Sequence, residues 1–372
     1  MEPAEHHGTV VPELEAPPAG AGPDRRRWVD HCIARARTAF ANGDRAAARD
    51  LIESAIRAGF WQQGRLWTEL LSYMDKPGDY AAIRALWWDS PEECYRMISL
   101  LRSVARAASV AGEHDDARTL LRAAILRQAA RRRRPRAVLG RAKRHLLARL
   151  PGRPGDPDRG RFADRAATAL ADLDRGLGQL GVQAFLISGT LLGYVRESGF
   201  ISWDKDIDVG VFTEVVAPAA LERAFHRSPD FHVRRLDFNT DRLRVHHTNG
   251  VMIDIFPHYR DGDGRVWHDG TATRWWNTPF EVTPVEFLGR TQFVPLPPER
   301  YLTENYGDWR VPVKHFDARL DAPNVEVTDR NYFDTLLYFS LLDAAGKGNA
   351  VGRRRYTDLL RERGEGEWLD RL

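Results

Sequence analysis

Asp206 and Asp208 stand two residues apart in the stretch Asp206 to Phe212, where Ile207, Val209 and Val211 alternate with them. Such alternation belongs to a β-strand, whose residues i and i+2 leave the same face. Two carboxylates held that close repel unless a cation lies between them. Hard oxygen ligands of this kind suit Mg2+, which usually shares its coordination with substrate phosphates. Mn2+ is an acceptable substitute. A third acid, Asp254, interrupts the apolar run Val251-Met252-Ile253-Asp254-Ile255-Phe256. A lone carboxylate among such neighbours is costly without a partner. If its strand lies beside the first, the three acids converge, and Asp254 either helps to hold metal or accepts the proton of an attacking hydroxyl.

The residues upstream suit phosphate. Gly189-Thr190 follows the short apolar segment Gln183 to Ile187 and precedes a helix expected over Leu191 to Glu197. Backbone N–H groups at such a junction can face an anion. Gly193 would let a donor approach closely, and Arg196, one turn on, would neutralise a phosphoryl oxygen. Each signal is weak alone: a D-x-D is common in exposed loops, and a glycine before a helix is commoner still. The constellation of strand, Gly-Thr, helix, D-x-D strand and third acidic strand is more specific. Trp203 either stacks on a base or anchors its loop. His247 and His315 are secondary candidates. Asn249-Gly250 is a strong hairpin signal; a two-residue turn would pair Thr248 with Val251 and put His247 opposite Met252, on the face of Asp254.

These residues need a scaffold. A helix is expected from Arg161 to Leu180, with Leu170, Leu173 and Leu177 near a 3.6-residue period. Further strands are expected over Arg242 to Thr248 and Val251 to Phe256. Trp275, Trp276, Phe280, Phe287 and Phe293 suggest small strands at a substrate-facing rim. Helices follow near Glu299–Asn305, Thr328–Ala344 (with Thr328 as N-cap) and Gly352–Arg363. The preceding part is different. Gly43-Asp44, Gly78-Asp79 and Gly112-Glu113 recur about every 34 residues, each followed by small and apolar residues at helical spacing. That period is the one of tetratricopeptide-like helix pairs, which commonly bind a partner protein or a neighbouring domain. The expected organisation is a disordered tail over 1–24, helical repeats over 25–130, a basic segment and Pro/Gly linker over 131–160, and a catalytic unit over 161–372.

The chain has 372 residues, 43% of them apolar, enough for two or three cores. Its formal net charge is only +3, yet Arg131 to Arg149 holds nine basic residues and no acid. The run is either a solvated helix face or a docking patch for an anionic surface, lipid or glycan. Nucleic acid is not expected, because no recognition motif or interleaved aromatic accompanies it. The two cysteines, Cys32 and Cys94, indicate neither a zinc site nor a disulfide framework and fit a reducing cytosol. The first 24 residues lack the apolar core of a signal peptide, and no apolar stretch reaches membrane-spanning length. A cytoplasmic location is expected, with membrane contact at most peripheral.

Gly189-Thr190-Leu191-Leu192-Gly193 through Arg196, then Gly199-Phe200-Ile201 and Trp203-Asp204-Lys205-Asp206-Ile207-Asp208, resemble the first signature of the LicD family. Ile253-Asp254-Ile255-Phe256-Pro257 resembles the second, and Tyr306-Gly307-Asp308-Trp309 with Val311-Pro312 the third, in the family's order. The resemblance covers about residues 165–320. It implies an α+β nucleotidyltransferase fold, a small mixed sheet flanked by helices, here preceded by an all-α helical-repeat domain. It also implies transfer of a phospho-alcohol, such as phosphocholine or ribitol or glycerol phosphate, from a CDP-linked donor to a hydroxyl of a glycan or polymer precursor. By position, Asp206, Asp208 and Asp254 take the metal and catalytic roles. Gly189, Thr190, Gly193 and Arg196 fall in the donor region with Trp203, and Asp204 is an outer or minor ligand. Two other readings stand beside this one: nucleotidyl transfer from a nucleoside triphosphate to a small molecule, and a helical-repeat adaptor carrying an inactive transferase domain.

Overall fold

A computed structural model describes residues 23–133, 157–201, 205–234, 237–313 and 315–372. The expected tail, most of the basic segment and linker, and both Trp203 and Asp204 lie outside the described residues.

The first described helices come in three successive pairs along the chain: α1 (Pro23–Ala41) and α2 (Arg45–Ala55), α3 (Gly64–Leu71) and α4 (Asp79–Trp88), and α5 (Ile98–Val110) and α6 (His114–Arg133). Gly43 and Gly112 sit between helices that pack on each other, α1 on α2 and α5 on α6. Gly43 and Gly112 adopt φ of +88° and +85°, a left-handed conformation that costs glycine no Cβ clash. The residue after each closes the turn in the same way: Asp44 N–H donates to Ala39 O at 2.9 Å, and Glu113 N–H to Ala108 O at 2.9 Å. The middle copy departs from this. Gly78 has φ −60° and ends a longer connection, consistent with its degraded sequence pattern.

Then come α7 (Pro157–Gly178), β1 (Phe185–Leu186), α8 (Ser188–Glu197), β2 (Asp206–Phe212), α9 (Pro218–Arg227), β3 (Phe231–Val233), β4 (Leu243–His247) and β5 (Met252–Arg260). They are followed by β6 (Val266–Gly270), β7 (Thr273–Asn277), the hairpin β8 (Glu281–Phe287) and β9 (Arg290–Leu296), α10 (Pro298–Tyr306), the single turn α11 (Ala318–Asp321) and β10 (Val325–Val327). The main sheet is mixed. It runs β1-β2-β5-β6-β7-β10, with β4 also on β5 and β3 outside β4. Only β2 and β5 pair in parallel. The α+β architecture is as expected. One core joins the buried face of α7 (Ala166, Ala169, Leu170, Leu173, Leu177) to Ile207, Val209 and Val211 of β2 and Ile253 and Ile255 of β5. Phe280 and Phe287 are buried in this core rather than at a rim.

Two expectations need correction. The β4–β5 connection has three residues, not two. Gly250, at φ +90°, donates its N–H to His247 O at 2.9 Å, and His247 N–H donates to Val251 O at 2.8 Å. Adding one residue shifts every pair, so His246 faces Met252 and Arg244 faces Asp254. His247 turns to the opposite face, with Nε2 2.9 Å from Asp172 Oδ2 and its ring on Phe231. Its role is packing.

The second correction concerns the chain's last helices, α12 (Arg330–Lys347) and α13 (Ala350–Glu362). The cap of α12 is Asp329, which accepts from Tyr332 N–H at 2.8 Å, not Thr328. The two helices were expected within the catalytic unit, but Leu336, Leu337, Leu341 and Leu342 share a core with Leu121, Ala124 and Ile125 of α6. Arg118 donates to Asn331 O at 2.8 Å and to Thr335 Oγ1 at 3.1 Å, and Arg122 pairs with Glu365 at 2.6 Å. Their turn repeats the earlier ones: Gly348 has φ +76° and Asn349 N–H donates to Ala344 O at 3.0 Å. A fourth pair from the far end of the chain thus completes the helical array, with the sheet inserted between the third and fourth.

Leu341 is fully buried in that shared core. Leu341→Ala should cost about 2–5 kcal/mol of stability and accelerate amide hydrogen exchange in α6. Loosening confined to the sheet would contradict the assignment of α12 to the array.

Candidate active site

The parallel pairing of β2 with β5 sets Asp208 directly opposite Asp254, with Asp206 opposite Met252. The even positions of β2 and of the start of β5 point away from the core, so all three acids leave one face. One carboxylate oxygen from each of Asp206, Asp208 and Asp254 lies within 4.8 Å of the others. The convergence expected from the strand pattern is therefore present.

Asp254 is 4% exposed, and Arg244 answers its charge from the neighbouring strand. Nε donates to Oδ1 at 2.7 Å and Nη2 to Oδ2 at 2.6 Å. This is the planar two-point geometry that guanidinium and carboxylate favour. Arg242 stands further off, with Nη1 at 3.9 Å from Asp254 Oδ2. Burial, and then the charge of Asp254, push the Asp206 carboxyl above the ordinary carboxylate range, while Arg244 pulls it back. Three acids converge here, and Arg244 engages Asp254 among them. An oxygen-only donor set with room beside it fits a hard divalent cation.

That room is a cavity of about 540 Å³, the size of a small-molecule site. Besides the acids, Arg242 and Arg244, its walls include Ser188 and Gly189 at the start of α8, Trp275 and His268 on β6–β7, and Tyr306 at the end of α10. The helical array contributes as well: Arg102 and Arg106 from α5, and Phe339, Ser340 and Asp343 from α12. His268 is buried between Trp275 and His258, and burial holds its imidazole well below the usual range.

The sequence-derived donor residues distribute unevenly. Gly189 lines the cavity. Thr190 is buried, and its Oγ1 accepts from Asp208 N–H at 2.9 Å, which pins α8 to β2 rather than presenting a hydroxyl to a ligand. At Gly193 a Cβ would lie 2.4 Å from Gly199 O. The close approach there is made by the chain's own backbone, not by a donor. Arg196 donates to Trp309 O at 3.3 Å and lines a side cavity of about 270 Å³ with Asp308, Trp309 and Val313, away from the triad. Gly189, Tyr306 and Phe316 border both cavities. His315 is exposed, its Nδ1 3.5 Å from Asn349; Lys314 lies outside the described residues.

Sequence reading missed Arg242, Arg244, Ser188 and the helical residues. Arg244 was within reach: a correct turn length would have placed it beside Asp254. Nothing in the sequence linked α5 to the cavity.

The fold and the acid cluster define a nucleotidyltransferase-type domain. Residues 181–296 match the family described as LicD/FKTN/FKRP, nucleotidyltransferase domain. The mouse (Mus musculus) ribitol-5-phosphate transferase FKTN is 32% identical over 174 residues, covering 44% of this chain and 37% of the relative. The human (Homo sapiens) protein of the same name is 28% identical over 182 residues, with the same coverage. An uncharacterized Caenorhabditis elegans protein, T07A5.1, is 29% identical over 181 residues, 43% of this chain and 47% of the relative. The chain thus spans little more than a third of the FKTN proteins and under half of T07A5.1. Among the described residues, no helix is long and apolar enough to cross a membrane.

Arg244→Ala would strip Asp254 of both charge-assisted hydrogen bonds while Asp206 stays close. Breaking a buried pair from one side costs about 3–5 kcal/mol. With a chelator present, the variant should unfold at clearly lower urea concentration than the wild-type chain, and Mg2+ or Mn2+ should restore more stability to it. Equal midpoints in chelator would refute the pairing.

Proposed function

We propose that this chain transfers a phospho-alcohol from a CDP-linked donor to a hydroxyl of a glycan or polymer precursor, with Mg2+ as cofactor. The observation that carries the reading is the meeting of Asp206, Asp208 and Asp254 within 4.8 Å in one cavity. Its support comes from the LicD/FKTN/FKRP match over the strands that bear those acids and from relatives named ribitol-5-phosphate transferases.

Asp206 and Asp208 would hold the cation, with Asp254 completing the set. A divalent ion held there would neutralise the diphosphate of the donor and the charge gathering on the departing CMP. The rest falls to the chain's own groups. Asp254 positions the acceptor hydroxyl or takes its proton. Arg244, already on Asp254, keeps that carboxylate oriented. Gly189 at the start of α8 offers backbone N–H to a phosphoryl oxygen, and Thr190 holds that helix against β2 through Asp208. Trp275 and Tyr306 offer aromatic walls to a base or a sugar. Most of the acceleration would come from alignment and charge complementarity.

Nucleotidyl transfer from a nucleoside triphosphate would use the same carboxylates, so substrate choice is decided by experiment. The adaptor reading is disfavoured by an intact acid cluster and by the array's own side chains in the cavity.

The purified chain, given Mg2+ and CDP-ribitol, CDP-choline, CDP-glycerol or nucleoside triphosphates with candidate acceptors, should release CMP from one CDP-alcohol. Asp206→Ala and Asp208→Ala should each lower turnover by about 10³-fold or more with far-ultraviolet circular dichroism unchanged. Full activity in either variant would eliminate the mechanism. Pyrophosphate release from a triphosphate instead would transfer the assignment to the second reading.

A further inference from the structure

Five arginines line the cavity, and four of them meet one of its carboxylates. Arg102 is bound by Asp343, with its Nη2 donating to Oδ2 at 3.2 Å. Arg319 is bound by Asp317 at 3.0 Å, and Arg244 by Asp254 at 2.6 Å. Arg242 keeps a looser contact with Asp254 at 3.9 Å. Arg106 is different. Among the described residues no carboxylate or carbonyl accepts a hydrogen bond from its guanidinium, which lies 4.8 Å over the ring of Phe339.

Its surroundings make that isolation costly. The rest of α5 is core: Leu101, Val104, Ala105, Ala107 and Ala108 are buried. Arg102 and Arg106 are one helical turn apart and share a face, and that face borders the cavity. The titratable groups around Arg106 are Arg102 and Arg242, which oppose its charge, Asp237, which favours it, and the hydroxyl of Tyr332. Asp237 is already engaged by Thr271 Oγ1 at 2.9 Å and the Tyr332 hydroxyl at 3.0 Å. Burial draws the Arg106 guanidinium below its ordinary range, yet arginine does not shed its proton in proteins. A half-buried cation with five N–H donors and no acceptor among the described residues therefore borders the cavity that holds the three acids.

We infer that Arg106, assisted by Arg242, forms an anion subsite for a phosphoryl group, so that the helical array is a wall of the active site and not only a docking module. The phosphoryl group belongs either to the donor's diphosphate or to an anionic acceptor. Arg106 lies outside the segment that matches the family, and the subsite rests on the transfer reading only for the choice between those two sources. Phe339 from α12 holds the guanidinium flat, so both the third and the fourth pair contribute.

The test uses the full chain and the variants Arg106→Ala and Arg106→Lys. By calorimetry with Mg2+, inorganic pyrophosphate should bind the wild-type chain, and Arg106→Ala should weaken it about tenfold or more. Arg106→Lys should recover part of the loss, keeping charge without the planar fork. Without ligand, Arg106→Ala should melt no lower than the wild type, since it removes a half-buried charge that no carboxylate meets. Parallel titrations identify the source. Weaker CDP binding in Arg106→Ala assigns the subsite to the donor, and weaker glycerol 3-phosphate binding with CDP unchanged assigns it to the acceptor. Pyrophosphate that binds wild type and Arg106→Ala equally, or binds neither, overturns the inference, as does a variant that only loses melting temperature. Arg106-dependent pyrophosphate binding without CMP release from any CDP-alcohol would keep the subsite and remove the transfer reading. Turnover with unchanged KM for both substrates in Arg106→Ala would do the reverse.

Discussion

Like charges drawn together against their repulsion govern this molecule. Parallel pairing of β2 and β5 fixes Asp208 opposite Asp254, and the strand period brings Asp206 to the same face. The strands cannot slip to relieve the repulsion. A shift of one residue would turn Ile207, Val209, Ile253 and Ile255 out of the core. The apolar face thus holds the acidic face in place, and burial of hydrocarbon offsets the electrostatic strain.

The neighbouring elements read as responses to that strain. Arg244 reaches Asp254 because the β4–β5 connection has three residues, with Gly250 in the left-handed region. Thr190 ties the start of α8 to the backbone of Asp208, and Gly193 lets the loop at Gly199 close over that helix. Gly193 and Thr190 of the first signature therefore build the frame of the site more than they touch its contents.

Much of this was legible in the sequence. Alternation over 206–212 and the acid within 251–256 were enough to predict strands, the shared face and the cluster, since strand periodicity is local. The glycines at 43 and 112 marked helical turns for the same reason. What failed was non-local or depended on one residue. Asn249-Gly250 suggested a two-residue turn, and the error moved His247 to the wrong face and hid Arg244. Arg196 stood at a plausible distance along the chain, yet α8 directs it to Trp309. Arg102 and Arg106 carry no local signal, because a polar residue on the face of an amphipathic helix is the common case. The role of α12 was invisible because its partners lie over two hundred residues earlier, beyond the reach of any periodicity.

That distance has a consequence for biogenesis. The face of α6 that α12 covers is complete at residue 133, whereas its cover begins at residue 330. At 5–20 residues per second, a ribosome needs roughly ten to forty seconds to span the gap. Throughout that interval the nascent array carries an apolar flank with nothing upon it, while the sheet folds between. Chaperone capture would be expected during this window, and any chain released before α12 emerges would keep its flank sticky.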